Sequence, residues 1–199
     1  MIERRLLDSG MKVIAGVDEA GRGACAGPLV VAALILKNPN DPSLRQVKDS
    51  KLLSPIQREN LYQVILDQVS GHAIIEIPAE EIDATGLHKS NIEGMRRAVN
   101  ALGLTPDYVL TDGYEVPGMS YPNLAVWKGD QVALTISAAS IIAKVYRDRL
   151  MVELDQKYPG YGLADHKGYV TKIHSNAMKK LGITPIHRKS YANVAKLIK

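Results

Sequence analysis

Two adjacent carboxylates, Asp18 and Glu19, stand between two apolar runs and beside three closely spaced glycines. The stretch reads Lys12-Val-Ile-Ala-Gly-Val-Asp-Glu-Ala-Gly-Arg-Gly-Ala-Cys-Ala-Gly-Pro28. Val13 to Val17 predicts a strand that ends in the carboxylate pair, and Leu29 to Leu36 predicts a second, buried strand. Gly21, Gly23 and Gly27 lie in the tight loop between them. A carboxylate carried at a strand end is held on a rigid element, where a metal site can be positioned accurately. The glycines let backbone approach a ligand closely, and Arg22 adds a planar fork that suits phosphate.

Three readings compete for this stretch. It can be a hairpin with a solvated acidic tip. It can be a dinucleotide loop, but the glycines run G-x-G-x-x-x-G rather than G-x-G-x-x-G, and a carboxylate pair repels phosphate unless a cation lies between. The third reading follows from that objection: the carboxylates hold Mg²⁺ or Mn²⁺ against a phosphate.

The rest of the chain predicts alternating helices and strands. Ser54 is a good N-cap, Pro55 suits the first helical position and Gln57 completes a capping box. That helix is expected to run to about Val69 and stop at Gly71, before a strand from His72 to Ile77. Glu80, Glu81 and Asp83 form an acidic cluster that reads as a solvated face. Ile92, Met95, Val99 and Leu102 mark the core stripe of a helix from about His88, ended by Gly103. Tyr108 to Asp112 predicts a strand with Asp112 at its carboxyl end, where ligands collect in open α/β sheets. Leu124 to Trp127 predicts another, with Trp127 read as core, the alternative being a stacking platform. Lys128-Gly-Asp130 then precedes a long helix from Thr135 to about Lys157, whose start is rich in small residues. Helices are expected from about Thr171 to Leu181 and within His187 to Leu197.

At 199 residues, one sizeable core is expected, with about 158–199 as a basic, mostly helical appendage. From His166 to Lys199 there are eight Lys or Arg and no Asp or Glu; the first 165 residues carry 17 basic and 21 acidic side chains. A basic end on a mildly acidic body suggests a polyanionic partner. The one cysteine, Cys25, excludes an intrachain disulfide and reads as a small buried hydrophobe. No apolar run reaches membrane-spanning length, and the first residues lack a signal peptide's apolar region. The expectation is a cytoplasmic monomer with no membrane role.

Six motifs occur in one order: Val17-Asp-Glu-Ala-Gly-Arg-Gly23, Asp49-Ser-Lys51, Thr111-Asp-Gly113, Lys128-Gly-Asp130, Ser137-Ala-Ala-Ser-Ile-Ile-Ala-Lys144 and His166-Lys-Gly-Tyr169. Together the chain resembles bacterial ribonuclease HII, the type 2 ribonucleases H, over essentially its whole length. One departure is Ala24-Cys-Ala-Gly27, where the family more usually has Pro-Leu-Ala-Gly; the substitutions are small and should leave the loop path intact.

The resemblance implies an α/β ribonuclease H-like fold, a five-stranded mixed sheet flanked by helices with a helical C-terminal part. It implies that Asp18, Glu19, Asp112 and Asp130 are catalytic and hold two divalent ions, Mg²⁺ or Mn²⁺. It implies that the backbone of Gly21, Arg22 and Gly23 reads a ribose 2′-OH, that Tyr169 packs beside an RNA–DNA junction, and that Lys51 contacts phosphate. Asp148 also matches a recurrent position and is expected to support the site rather than ligate. The implied substrates are RNA–DNA hybrids and duplex DNA carrying ribonucleotides, with roles in DNA repair and replication. The alternatives are a junction nuclease of the same fold, which needs no 2′-OH, a non-catalytic nucleic-acid-binding module, and a nucleotide-binding protein, which Asp18 and Glu19 disfavour.

Overall fold

The computed structural model describes residues 2–48 and 50–198; Asp49 of the Asp-Ser-Lys motif lies outside them. Among the described residues a five-stranded sheet has the order β3-β2-β1-β4-β5. Its strands are β1 (Ile14–Ala20), β2 (Leu29–Leu36), β3 (Val69–Ile77), β4 (Tyr108–Asp112) and β5 (Asn123–Val126). β1 pairs antiparallel with β2 and parallel with β4, and β4 pairs parallel with β5, so the sheet is mixed.

The helices are α1 (Ile2–Asp8), α2 (Pro55–Gln68), α3 (Ala79–Thr85), α4 (Leu87–Asn100), α5 (Gly129–Val132), α6 (Leu134–Lys157), α7 (Leu163–His166), α8 (Lys172–Leu181) and α9 (Ala192–Ala195). All eight residues of β2 are buried because both faces of the sheet are covered. Leu29, Val31, Ala33 and Ile35 pack with Met95, Ala98 and Val99 of α4. Val30, Ala32, Leu34 and Leu36 point the other way, onto Ala138, Ala139, Ile141 and Ile142 of α6 and Leu61 and Ile65 of α2. This is the period-2 alternation of a strand buried twice.

The small residues at the start of α6 allow it to lie directly on β1. A Cβ at Gly16 would come within 2.2–2.5 Å of Thr135, so only glycine admits this approach. The capping box at Ser54 and Gln57 forms as expected. The C-terminal part packs around Cys25, Met151, Tyr161, Leu163, Met178 and Val194, with Cys25 fully buried.

Some expectations are corrected. β1 continues through Asp18 and Glu19 to Ala20, because Ala20 still pairs with Val30 of the neighbouring strand. Gly71 does not stop α2, which ends at Gln68; it lies within β3, paired with Ile35. β5 ends at Val126, and Trp127 is not core: it is 80% exposed. Of the acidic cluster, Glu81 pairs with Arg97, while Asp83 accepts hydrogen bonds from the backbone N–H groups of Lys189 and Ser190 and ties the C-terminal segment to α3.

Candidate metal centre and active site

Alternation along β1 separates the two adjacent carboxylates. Asp18 shares a face with Gly16 and Ala20, towards α6, and Ser140 of that helix hydrogen-bonds it. Glu19 points to the other face, where the fully buried Asn91 of α4 lies close by. The parallel register of β1 with β4 sets Val17 opposite Thr111, which brings Asp112 level with Asp18. Asp130 arrives from the first turn of α5. One carboxylate oxygen from each of Asp18, Asp112 and Asp130 then lies within 4.8 Å of the others. Glu19 is not in that tight group, but it lines the same cleft of about 260 Å³, with Gly21, Arg22, Gly23, Lys51, Ser140, Lys144 and Tyr169.

The acids are held in place by backbone. The Glu19 N–H donates to Asp18 Oδ1 (2.7 Å) and the Gly129 N–H to Asp112 Oδ1 (2.7 Å). The Ser137 hydroxyl donates to the Asp130 carbonyl (2.8 Å) and so joins α5 to α6. Lys51 Nζ lies 3.2 Å from Asp130 Oδ2, although the lysine side chain is 78% exposed. Asp148 stands apart from the group, paired with Lys144 at 2.7 Å and Arg58 at 3.9 Å.

Crowded buried carboxylates resist ionisation. Burial, and then the charges of Glu19 and Asp112, hold the Asp18 carboxyl well above the usual carboxylate range. Burial pushes Glu19 up to about 7, against the lowering effects of the Asn91 amide and Arg22. Glu19 Oε2 is buried and makes no hydrogen bond among the described residues. An acid cluster of hard oxygens with an orphaned buried oxygen fits a divalent cation, which would satisfy the oxygen and remove the repulsion.

The opposite wall of the cleft is backbone. Gly21 has φ +88°, and a Cβ there would fall 1.9 Å from Arg147 Nε. Arg147 is buried, and its guanidinium donates to the carbonyls of Pro28, Lys167 and Ala26. Burial pushes it down to about 10. Arg188, also buried, donates to the carbonyls of Gly27 and Arg22. It therefore braces the glycine loop, and it is not one of the tail's exposed cations. The Arg22 side chain turns away to stack on Tyr114, 4.5 Å from the ring centre, and hydrogen-bonds its hydroxyl. Tyr169 is 39% exposed beside Gly23.

Arg147, Arg188, Asn91 and Tyr114 carry no signal in the sequence. An arginine in isolation reads as a surface charge, and no local spacing marks one that will be surrounded by carbonyls. Ser140 differs, because the small-residue run that contains it is visible.

A family model described as Ribonuclease HII matches residues 15–194. A ribonuclease HII of Salinispora tropica is 53% identical over 98% of this chain and 72% of its own length. That of Corynebacterium jeikeium is 54% identical over 98% of this chain and 94% of its own. The crystal structure of the ribonuclease H2 from Pyrococcus horikoshii OT3 superposes with a TM-score of 0.81 at 33% identity, covering 94% of this chain and 97% of that one. Sequence, fold and acid cluster agree: the chain belongs to the ribonuclease HII family and is an endonuclease of the ribonuclease H type.

Proposed function

We propose that the protein cuts the phosphodiester bond 5′ to a ribonucleotide embedded in duplex DNA, and also the RNA strand of RNA–DNA hybrids. Water adds to phosphorus, the bond to the 3′ oxygen breaks, and that oxygen takes up a proton released by the water. The products are a 5′-phosphate on the ribonucleotide side and a free 3′-OH. The observation that carries this reading is the meeting of Asp18, Asp112 and Asp130, the first two lining a cleft that Gly21, Arg22 and Gly23 also line.

Asp18, Asp112 and Asp130, with Glu19 at the edge of the group, would hold Mg²⁺ or Mn²⁺; hard oxygen donors suit these ions. When bound, such ions supply Lewis acidity to the phosphate and lower the pKa of the attacking water, and two-ion sites do both. The chain's own residues bind and orient. Backbone groups at Gly21-Arg22-Gly23 can reach a 2′-OH because no side chain intervenes, and the 2′-OH is what distinguishes RNA from DNA. The Tyr169 ring is available to pack on the deoxyribose at an RNA–DNA junction. Lys51, exposed and beside Asp130, supplies a cation to an incoming phosphate. The exposed lysines of α8 would meet the backbone without reading sequence. This activity suits ribonucleotide removal during DNA repair and replication, by a monomer in the cytoplasm.

The test is cleavage of a DNA duplex with one ribonucleotide in Mg²⁺, Mn²⁺ or EDTA, beside an all-DNA duplex and the Asp130→Asn variant. Metal-dependent cutting 5′ to the ribonucleotide, lost in the variant and absent on DNA alone, supports the reading. Cutting of the all-DNA duplex would replace it with a junction nuclease.

A further inference from the structure

The chain has one tryptophan, and among the described residues it is the most exposed of the large apolar side chains that leave the core, at 80%. Trp127 follows directly on β5. The next residue, Lys128, takes up a left-handed conformation (φ 52°, ψ 46°), and the Gly129 N–H then reaches Asp112 Oδ1 at 2.7 Å. The chain turns inward to the metal group at Gly129 and leaves the indole outside. A tryptophan normally buries roughly 150–250 Å², so this position forgoes most of that burial beside the reacting centre. Scattered exposed apolar residues need no explanation, but this one has company. Leu52 adjoins Lys51, which contacts Asp130, and Val132 lies two residues beyond Asp130; both are exposed. Lys51, beside Asp130, and Lys128, next along the chain from Trp127, are exposed cations.

We propose that Trp127, flanked by Leu52 and Val132, is a substrate-contacting platform that stacks on the nucleic acid on the far side of the scissile phosphate from Tyr169. The proposal rests on the nuclease reading above. Sheet register supports the position. Val17 is level with Thr111, and Asp112 with Val126, so the metal group and the root of Trp127 lie along one line across the strand ends. Tyr169 stands by the β1–β2 loop at one end of that line, and Trp127 at the other, just past the end of the edge strand. Two strand spacings are about 10 Å, and one strand of a duplex advances about 3.4 Å per nucleotide. For a duplex lying along that line, Trp127 would meet it within about three nucleotides of the scissile phosphate. An indole offers a face to any base or deoxyribose, so the contact carries no sequence preference, and the neighbouring lysines match the phosphates on either side. A protein partner would not need cations aligned with a phosphate-binding cleft, so the occupant is nucleic acid.

The lone tryptophan is its own probe. The full chain in EDTA is titrated with a fluorophore-labelled duplex carrying one ribonucleotide, and binding is followed by anisotropy and by tryptophan emission in parallel. Emission is expected to change in step with anisotropy for duplexes that extend at least four base pairs past the ribonucleotide on the Trp127 side, and to stay constant for duplexes that stop short of two. In Mg²⁺, Trp127→Ala should raise KM about tenfold with kcat within twofold and an unchanged Mg²⁺ dependence, and Trp127→Phe should recover most of the loss. Saturation by anisotropy with constant emission, or an unchanged KM in Trp127→Ala, would overturn the platform while leaving the nuclease reading intact. A dimer in sedimentation that Trp127→Ala dissociates would assign the rim to a second copy and also overturn it. Absence of binding by anisotropy together with absence of cleavage in Mg²⁺ would sink both.

Discussion

His187 and His174 meet Nε2 to Nε2 at 3.1 Å inside the C-terminal part. The Thr184 N–H donates to His187 Nδ1 at 3.0 Å, so that nitrogen is the acceptor and the proton is on Nε2. His187 therefore donates to His174, whose own proton is on Nδ1 and is given to the Tyr169 carbonyl at 3.0 Å. Two neutral rings thus form a directed chain that ends on the backbone of Tyr169. Burial pushes both below the usual imidazole range, His187 to about 4.

The sign of the resulting pH dependence is fixed. Between pH 6.5 and about 4 the unfolded chain takes up a proton at His187 that the folded chain refuses, so stability falls as pH falls through that window. The buried carboxylates act in the opposite direction, so the comparison must be with a variant. The melting temperature of His187→Asn should fall less than that of the unsubstituted protein between pH 7 and pH 5. Parallel curves would remove the histidine pair from the acid response.

Asp18 gives the converse. Its folded pKa is raised, so the stability it contributes is present at low pH and lost as pH rises, in the absence of metal. In EDTA at pH 8, Asp18→Asn should melt higher than the unsubstituted chain, by roughly 2–4 °C for each kcal/mol of repulsion relieved in a chain of this size. It should have no detectable activity in Mg²⁺. A lower melting point in EDTA would mean that repulsion does not dominate this site.

Gly21 and Gly103 separate crowding from backbone strain. Both have positive φ, but a Cβ at Gly21 meets Arg147 while one at Gly103 meets nothing within 4 Å. Gly103→Ala should cost about 1 kcal/mol, the ordinary left-handed penalty. Gly21→Ala should cost at least about twice that and reduce cleavage at least tenfold, because the loop must move off Arg147. Denaturant midpoints read the first difference and single-ribonucleotide cleavage the second.

The tail's cations divide by burial. Lys179 and Lys180 are exposed, whereas Arg188 is buried on the Gly27 and Arg22 carbonyls. Replacing both lysines by alanine should flatten the salt dependence of duplex binding, by about 0.9 in slope for each phosphate no longer neutralised, with an unchanged melting temperature. Arg188→Ala should lower the melting temperature and leave the slope nearly as it was. An unchanged slope in the lysine variant would take α8 out of the nucleic-acid interface.

Tyr169→Ala should harm cleavage at a single ribonucleotide in DNA more than cleavage of a continuous hybrid, by about tenfold in relative kcat/KM. Equal losses on both substrates would reject a junction role for the ring.

What the sequence determined by itself was local or carried by ordered motifs. The apolar run of β2, the capping box at Ser54 and the small-residue start of α6 follow from chemistry between near neighbours, and they formed as read. The ribonuclease HII set could be picked out because its motifs keep their order. What the tertiary structure decided depended on pairing and packing between distant segments. Continued pairing of Ala20 with Val30 kept Asp18 and Glu19 within a strand and sent them to opposite faces. The parallel register of β1 and β4 set Asp112 level with Asp18. Burial of Arg147 and Arg188 required a ring of carbonyls from loops far apart in the chain, and exposure of Trp127 required that no later element cover the end of β5. Apolar character sets the free-energy gain of burial, but only the packed chain determines which side chains receive it.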